Sequence, residues 1–108
     1  MSIRLGDIAH ARSGDKGNHA NIGVVANSPA AYQHLERHLT ADVVQTFFAG
    51  LGTSRVERYL LPNIRALNFV LRDALAGGAS RSLRIDTQGK LLGTAILDLN
   101  LPVMPKIP

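Results

Sequence analysis

The run Asn21-Ile22-Gly23-Val24-Val25-Ala26, followed without a break by Asn27-Ser28-Pro29, sets the strongest limit on what this chain can fold into. A short apolar run bounded by turn formers reads as a strand. Its apolar residues lie on both parities, which predicts a central strand covered on both faces. Ser28 and Pro29 then predict an immediate helix start. The serine hydroxyl can cap orphan N–H groups, and proline at the first helical position loses no needed donor. A strand that passes directly into a helix commits the chain to a mixed fold.

The flanking patterns extend this order. Ile3 to Ala11 reads as a first strand, with Ile3, Leu5 and Ala9 on one parity. After Pro29, the residues Tyr32, Leu35 and Leu39 recur at helical spacing. Thr40 is a second cap, Val44, Phe47 and Phe48 form the apolar face of the next helix, and Gly50 stops it. Arg55 to Leu61 reads as a strand ended by Pro62. Asn63 is placed to cap a third helix carrying Ile64, Leu67, Val70, Leu71 and Leu75, ended by Gly77-Gly78. Ser82 to Asp86 alternates like a half-buried strand, and Thr87-Gln88-Gly89-Lys90 reads as a turn. Gly93 to Leu99 is read as a strand returning from that turn, although Leu91 to Leu97 also fits a short helix. Residues 101–108, with three prolines, are expected to be extended and to fray or dock on a neighbour.

The predicted order is strand, strand, helix, helix, strand, helix, strand, strand. This predicts an α+β sandwich, a mainly antiparallel sheet with helices on one face. The 108 residues are enough for one domain that buries roughly 60–70% of its unfolded surface in a single core. No internal repeat or linker divides them.

Composition removes several function classes. The absence of cysteine excludes disulfides, thiolate metal sites and a cysteine nucleophile. No apolar run reaches the roughly 18–20 residues of a membrane helix, and Met1 to Asp7 lacks the apolar core of a secretory signal. The expected location is cytoplasmic. The net charge is +4, from 12 Lys+Arg against 8 Asp+Glu. The basic residues are scattered and few aromatics accompany them, which argues against a nucleic-acid binder.

Between the first two strands lies Arg12-Ser13-Gly14-Asp15-Lys16-Gly17-Asn18. Two glycines three apart permit backbone geometry closed to other residues, and successive N–H groups can converge on an anion. Arg12 and Lys16 add positive charge, Ser13 adds a hydroxyl, and Asp15 can orient Lys16 or act as a base. Asn18 and Asn21 can fix orientation. Phosphate, carboxylate or a thioester-bound acyl group would suit this inventory. The same residue types also serve a long hairpin connection as turn formers. The spacing is that of neither the nucleotide-binding nor the dinucleotide-binding glycine loop. Arg81 and Ser82, after Gly77-Gly78, can join Arg12 and Lys16 around one anion, or follow a plain helix C-cap. Asn68, in an otherwise apolar helix, can brace the glycine loop.

The four histidines offer weaker possibilities. His34 and His38 are four apart on one helix, a spacing that binds metal, but they fall on what reads as its solvated face. His10, Asp15 and His19 flank the polar loop and could converge, though without the third histidine or repeated carboxylates a metal site would use. No metal and no cofactor is expected.

Ala9 to Val24 resembles the small ferredoxin-like domain of the AtuA family, associated with acyclic terpene utilisation. Phe48-Ala49-Gly50, Val56-Glu57-Arg58-Tyr59, Leu61-Pro62-Asn63 and Ala66 to Leu71 carry the resemblance onward. Gly77-Gly78, Ser82 to Asp86 and Gly89-Lys90 complete it over about residues 3 to 100. The resemblance implies a ferredoxin-like fold and a setting among acyl-CoA genes. It also implies that modules of this kind occur beside a large domain, whose own activity cannot be carried over to this chain.

Two functions follow as expectations, beside a third, nucleic-acid binding, that rests only on charge. The first is an accessory module that binds an AtuA-like large subunit, or itself as a homodimer or higher oligomer, and helps shape a site for CoA or a carboxylate. The second is a small enzyme acting on an acyl-CoA or hydroxyacyl substrate. Asp15 would be its acid or base, with Arg12 and Lys16 stabilising negative charge and Ser13 a further catalytic candidate.

Overall fold

A computed structural model describes residues 2–16, 19–51, 53–73 and 88–104, with side chains for all of these except 15, 16, 51 and 88–91. The elements run β1 (Ser2–Arg4), β2 (Ala9–Lys16), β3 (His19–Ala26), α1 (Pro29–His38), α2 (Ala41–Phe47), β4 (Arg55–Leu61), β5 (Ala66–Arg72), α3 (Gln88–Ile96) and β6 (Asn100–Pro102). Four strands form one sheet in the order β2-β3-β5-β4, every neighbouring pair antiparallel. The short strands β1 and β6 pair separately, with Ile3 opposite Leu101. The fold is α+β, as expected.

The sheet has two unlike faces because strand residues alternate. In β3, Ala20, Ile22 and Val24 are fully buried, and Ala26 is nearly so. They stand opposite Leu71, Phe69 and Leu67 of β5, which are equally buried. Leu35, Leu39, Val44, Leu92 and Ile96 of the helical layer close this core. Each such side chain contributes about 1.5–3 kcal/mol by leaving water. Val25, on the other parity of β3, is 42% exposed. The central strand is therefore covered on one face, not on both as its sequence predicted.

The helix starts fall where the caps predict. The Ser28 hydroxyl accepts from the Ala31 N–H at 3.0 Å, and the Thr40 hydroxyl from the Val43 N–H at 3.2 Å. The other end of α1 is held from the sheet. Arg58 of β4 donates to the Glu36 and Leu39 carbonyls, each at 2.9 Å, and so satisfies acceptors that the last helical turn leaves open.

Four local expectations give way. The first strand is interrupted at Leu5–Asp7 by a 3-10 turn, because the Leu5 and Gly6 N–H groups donate to the Leu99 and Leu97 carbonyls at the far end of the chain. Arg12 to Lys16 is strand rather than loop. The β2–β3 ladder runs from Ala9↔Ala26 to Lys16↔His19, so that only residues 17 and 18 separate the two strands.

The helix expected after Asn63 is absent. Pro62–Ile64 forms one 3-10 turn, closed by Arg65 with φ 54°, and β5 follows. Leu67, Phe69 and Leu71 satisfy a period of two as well as Leu67 and Leu71 satisfy a helical one. Pairing to both β3 and β4 decides for the strand. The reverse holds for Gly93 to Leu99 and for the turn expected at Gln88 to Lys90, since Gln88–Ile96 is helix. Leu92, Gly93 and Ile96 pack its inner face onto the sheet. The expected strand at Ser82–Asp86, the glycines 77 and 78, Thr87 and residues 105–108 lie outside the described residues. Among the described residues, no helix is long and apolar enough to cross a membrane.

Candidate functional site

The face of the sheet opposite the helices gathers Arg12, Gly14, Asn21 and Asn68 of the residues that the sequence singled out. Strand register places them in rows across all four strands. One row is Arg12, Gly23, Asn68 and Tyr59, from β2, β3, β5 and β4 in turn. The next is Gly14, Asn21, Val70 and Glu57, and on the other side lies His10, Val25, Ala66 and Leu61. Arg12 and Asn68 therefore flank Gly23, with Cα atoms about 10 Å apart across two strand spacings.

Among the described residues, the middle of this face is bare. A Cβ built on Gly23 would meet only the Arg12 carbonyl and the Asn68 Oδ1, both at 4.0 Å, and one on Gly14 would meet nothing within 4 Å. Neither glycine has positive φ. Glycine inside a strand costs roughly 0.5–1 kcal/mol relative to alanine, and neither the backbone nor internal packing requires it here. A strand glycine of this kind leaves room for close approach by a ligand or another chain. Around the bare centre, Tyr59 is 49% exposed and Leu61 43% exposed.

Arg12 forms no ion pair among the described residues. The other arginines of this face are committed. Arg72 donates to Glu57 Oε1 at 2.9 Å, and Arg55 lies 2.5 Å from Oε2. The Tyr59 hydroxyl donates to the same carboxylate at 2.9 Å. These bonds, that from Arg72 foremost, hold the Glu57 carboxyl at about 2 instead of 4.5. The same carboxylate raises the pKa of Tyr59, because the phenolate would lose its acceptor and face a negative charge. Sequence reading missed this cluster. Its signal was the alternation Arg55, Glu57, Tyr59 on one strand, and its fourth member was hidden by reading β5 as helix.

The expected site divides. Arg12, Gly14, Asn21 and Asn68 share the open face. Asn68 belongs to a strand rather than a helix, and it sits across Gly23 from Arg12. Ser13 lies on the helix-covered side, where its hydroxyl accepts from the Gly93 N–H at 2.7 Å. It belongs to the packing of α3 on β2. The backbones of Asp15 and Lys16 pair with Ala20 and His19. Gly17, Asn18 and Arg81 lie outside the described residues.

His10 and His19 do not converge, contrary to one reading of the loop. His10 pairs with Val25, six residues along β3 from His19, a separation of about 20 Å. His19 instead accepts from the Asp73 N–H at its Nδ1, at 3.0 Å. His34 is not on a solvated face: it is 6% exposed and bonded to the chain at β6. Among the described residues, no group of three or more histidine, aspartate or glutamate side chains is placed to hold a metal ion.

A polar face of this kind can receive a carboxylate or phosphate between a guanidinium and an amide, with apolar contacts at its margin. Comparison with known proteins adds one finding. The family model described as the AtuA ferredoxin-like domain matches residues 3–102. No curated protein and no solved structure matches the chain.

Proposed function

The chain belongs to the AtuA ferredoxin-like domain family, and we propose that it works as an accessory module in acyl-CoA or acyclic-terpene-type catabolism. The open face of its four-stranded sheet docks on a larger AtuA-type subunit. Arg12, Asn21 and Asn68 then help form a site at the junction for the carboxylate or phosphate of the substrate.

The observation that carries the proposal is the face itself. Among the described residues, it joins an arginine without an ion pair, two amides, exposed Val25, Tyr59 and Leu61, and two glycines that internal packing does not require. Exposed apolar side chains beside polar groups mark surfaces of association rather than bare solvent faces. The family resemblance, to modules that occur beside a large domain, supplies the kind of partner. The position of Ser13 supports an accessory role over an enzymatic one, since it lies on the helix-covered side, where its hydroxyl accepts from a helix amide.

The test is purification with and without the large AtuA-type subunit, followed by assay with acyl-CoA substrates. The expected result is a stable complex and no turnover by the small chain alone. Turnover by the isolated chain, lost in Asp15→Asn, would overturn the accessory function and favour a small enzyme.

A further inference from the structure

A groove of about 450 Å³ lies between α1 and the chain that leaves β6. It is separate from the open sheet face and was not foreseen from the sequence. Gln33, Arg37 and His38 line it from the helix, Val103 and Met104 from the other side, and His34 at its buried base. The helical residues form a stripe at i, i+1, i+4 and i+5, beside the Tyr32, Leu35 and Leu39 stripe that enters the core.

His34 Nε2 lies 2.6 Å from the Pro102 carbonyl, which can only accept, so the Nε2 carries the proton. This bond fixes the chain after β6 against α1 and holds the two walls together. The His38 ring centroid is 4.5 Å from that of His34, with the planes tilted by 50°. Among the described residues, Arg37 forms no ion pair or hydrogen bond and no carboxylate lines the groove. Arg37 and His38 sit in the last turn of α1, where the helix dipole favours the positive charge of the Arg37 guanidinium. Val103 is 51% exposed and faces them with Met104.

We propose that this groove binds a small organic carboxylate with an apolar tail. The carboxylate lies on Arg37, whose planar guanidinium matches it in two parallel hydrogen bonds, with His38 as a further donor. The tail lies along Val103 and Met104, where it replaces water on exposed apolar surface. The volume falls within the range of small-molecule pockets, roughly 300–1,000 Å³. The proposal rests on the groove alone and stands or falls separately from docking at the sheet.

Titration of the full chain with octanoate, followed residue by residue by NMR, tests it. The expected result is saturable binding with shifts centred on Arg37, His38, Val103 and Met104. Acetate, which lacks the tail, and octanol, which lacks the charge, should each bind about tenfold more weakly or worse. Arg37→Gln, at an exposed position, should weaken octanoate by about tenfold and leave the other resonances in place. Equal binding of octanol and octanoate, unchanged affinity in Arg37→Gln, shifts centred on Asn21 and Asn68 instead, or no saturable binding would each overturn it.

Discussion

The hydroxyl of Ser13 accepts the backbone N–H of Gly93 at 2.7 Å, which joins the edge strand β2 to helix α3. The contact leaves no room for a side chain on the helix. A Cβ at Gly93 would fall 2.9 Å from both the N and the Oγ of Ser13 and 3.0 Å from the Arg12 carbonyl carbon. Backbone atoms cannot turn aside as a flexible side chain can. Gly93→Ala should therefore destabilise the fold by about 1–3 kcal/mol despite alanine's better helix propensity. Ser13→Ala removes the acceptor of that bond without inserting atoms and should cost about 1 kcal/mol. Urea midpoints of the two variants check both values and their order.

Glu57 should make stability depend on acid. Its folded-state carboxyl titrates at about 2, below the ordinary 4.5, because Arg72, Tyr59 and Arg55 all favour the carboxylate. A lowered folded-state pKa adds stability that is fully present above 4.5 and is lost as pH falls toward 2. Thermal midpoints of the wild type should fall through that window more steeply than those of Glu57→Gln. Parallel curves for the two proteins would remove Glu57 from the cause.

His34 is a structural donor before it is anything else. Its Nε2 donates to the Pro102 carbonyl at 2.6 Å from a nearly buried ring. His34→Leu keeps the volume but leaves that carbonyl without its donor, and should cost about 1–3 kcal/mol. His34→Gln, which retains an N–H donor, should lose less. Denaturant unfolding measures the difference, and hydrogen exchange at Ile3 and Leu101 should rise first because β1 and β6 pair there.

Much of the architecture was legible because local signals and long-range packing agreed. Ser28-Pro29 and Thr40 start their helices by the caps their residue types predict. Arg55 to Leu61 is the strand its bounds predicted. The failures share one cause. Residues 66–72 fit both periods, and only the pairing of β5 between β3 and β4 selects the strand. Val24 and Val25 are alike in sequence, yet one faces the core and the other faces out, because the described helices pack on one side of the sheet. The polar segment was found as a composition. Its division between two faces follows from strand alternation, which a reading as loop could not include. Arg12, Asn21 and Asn68 come to share one face only once β5 is a strand, since Gly23↔Asn68 is a pairing of residues forty-five positions apart.

The open face is tested most directly at Gly23. A side chain there would project into space bounded only by the Arg12 carbonyl and Asn68 Oδ1 at 4.0 Å, so Gly23→Tyr should fold with unchanged or greater stability. The decisive measurement is calorimetric titration of the large AtuA-type subunit with wild type and with Gly23→Tyr. Docking through the sheet predicts a complex for the wild type and loss of binding for a variant whose urea midpoint has not fallen. Equal affinity of the two proteins for the large subunit would contradict it.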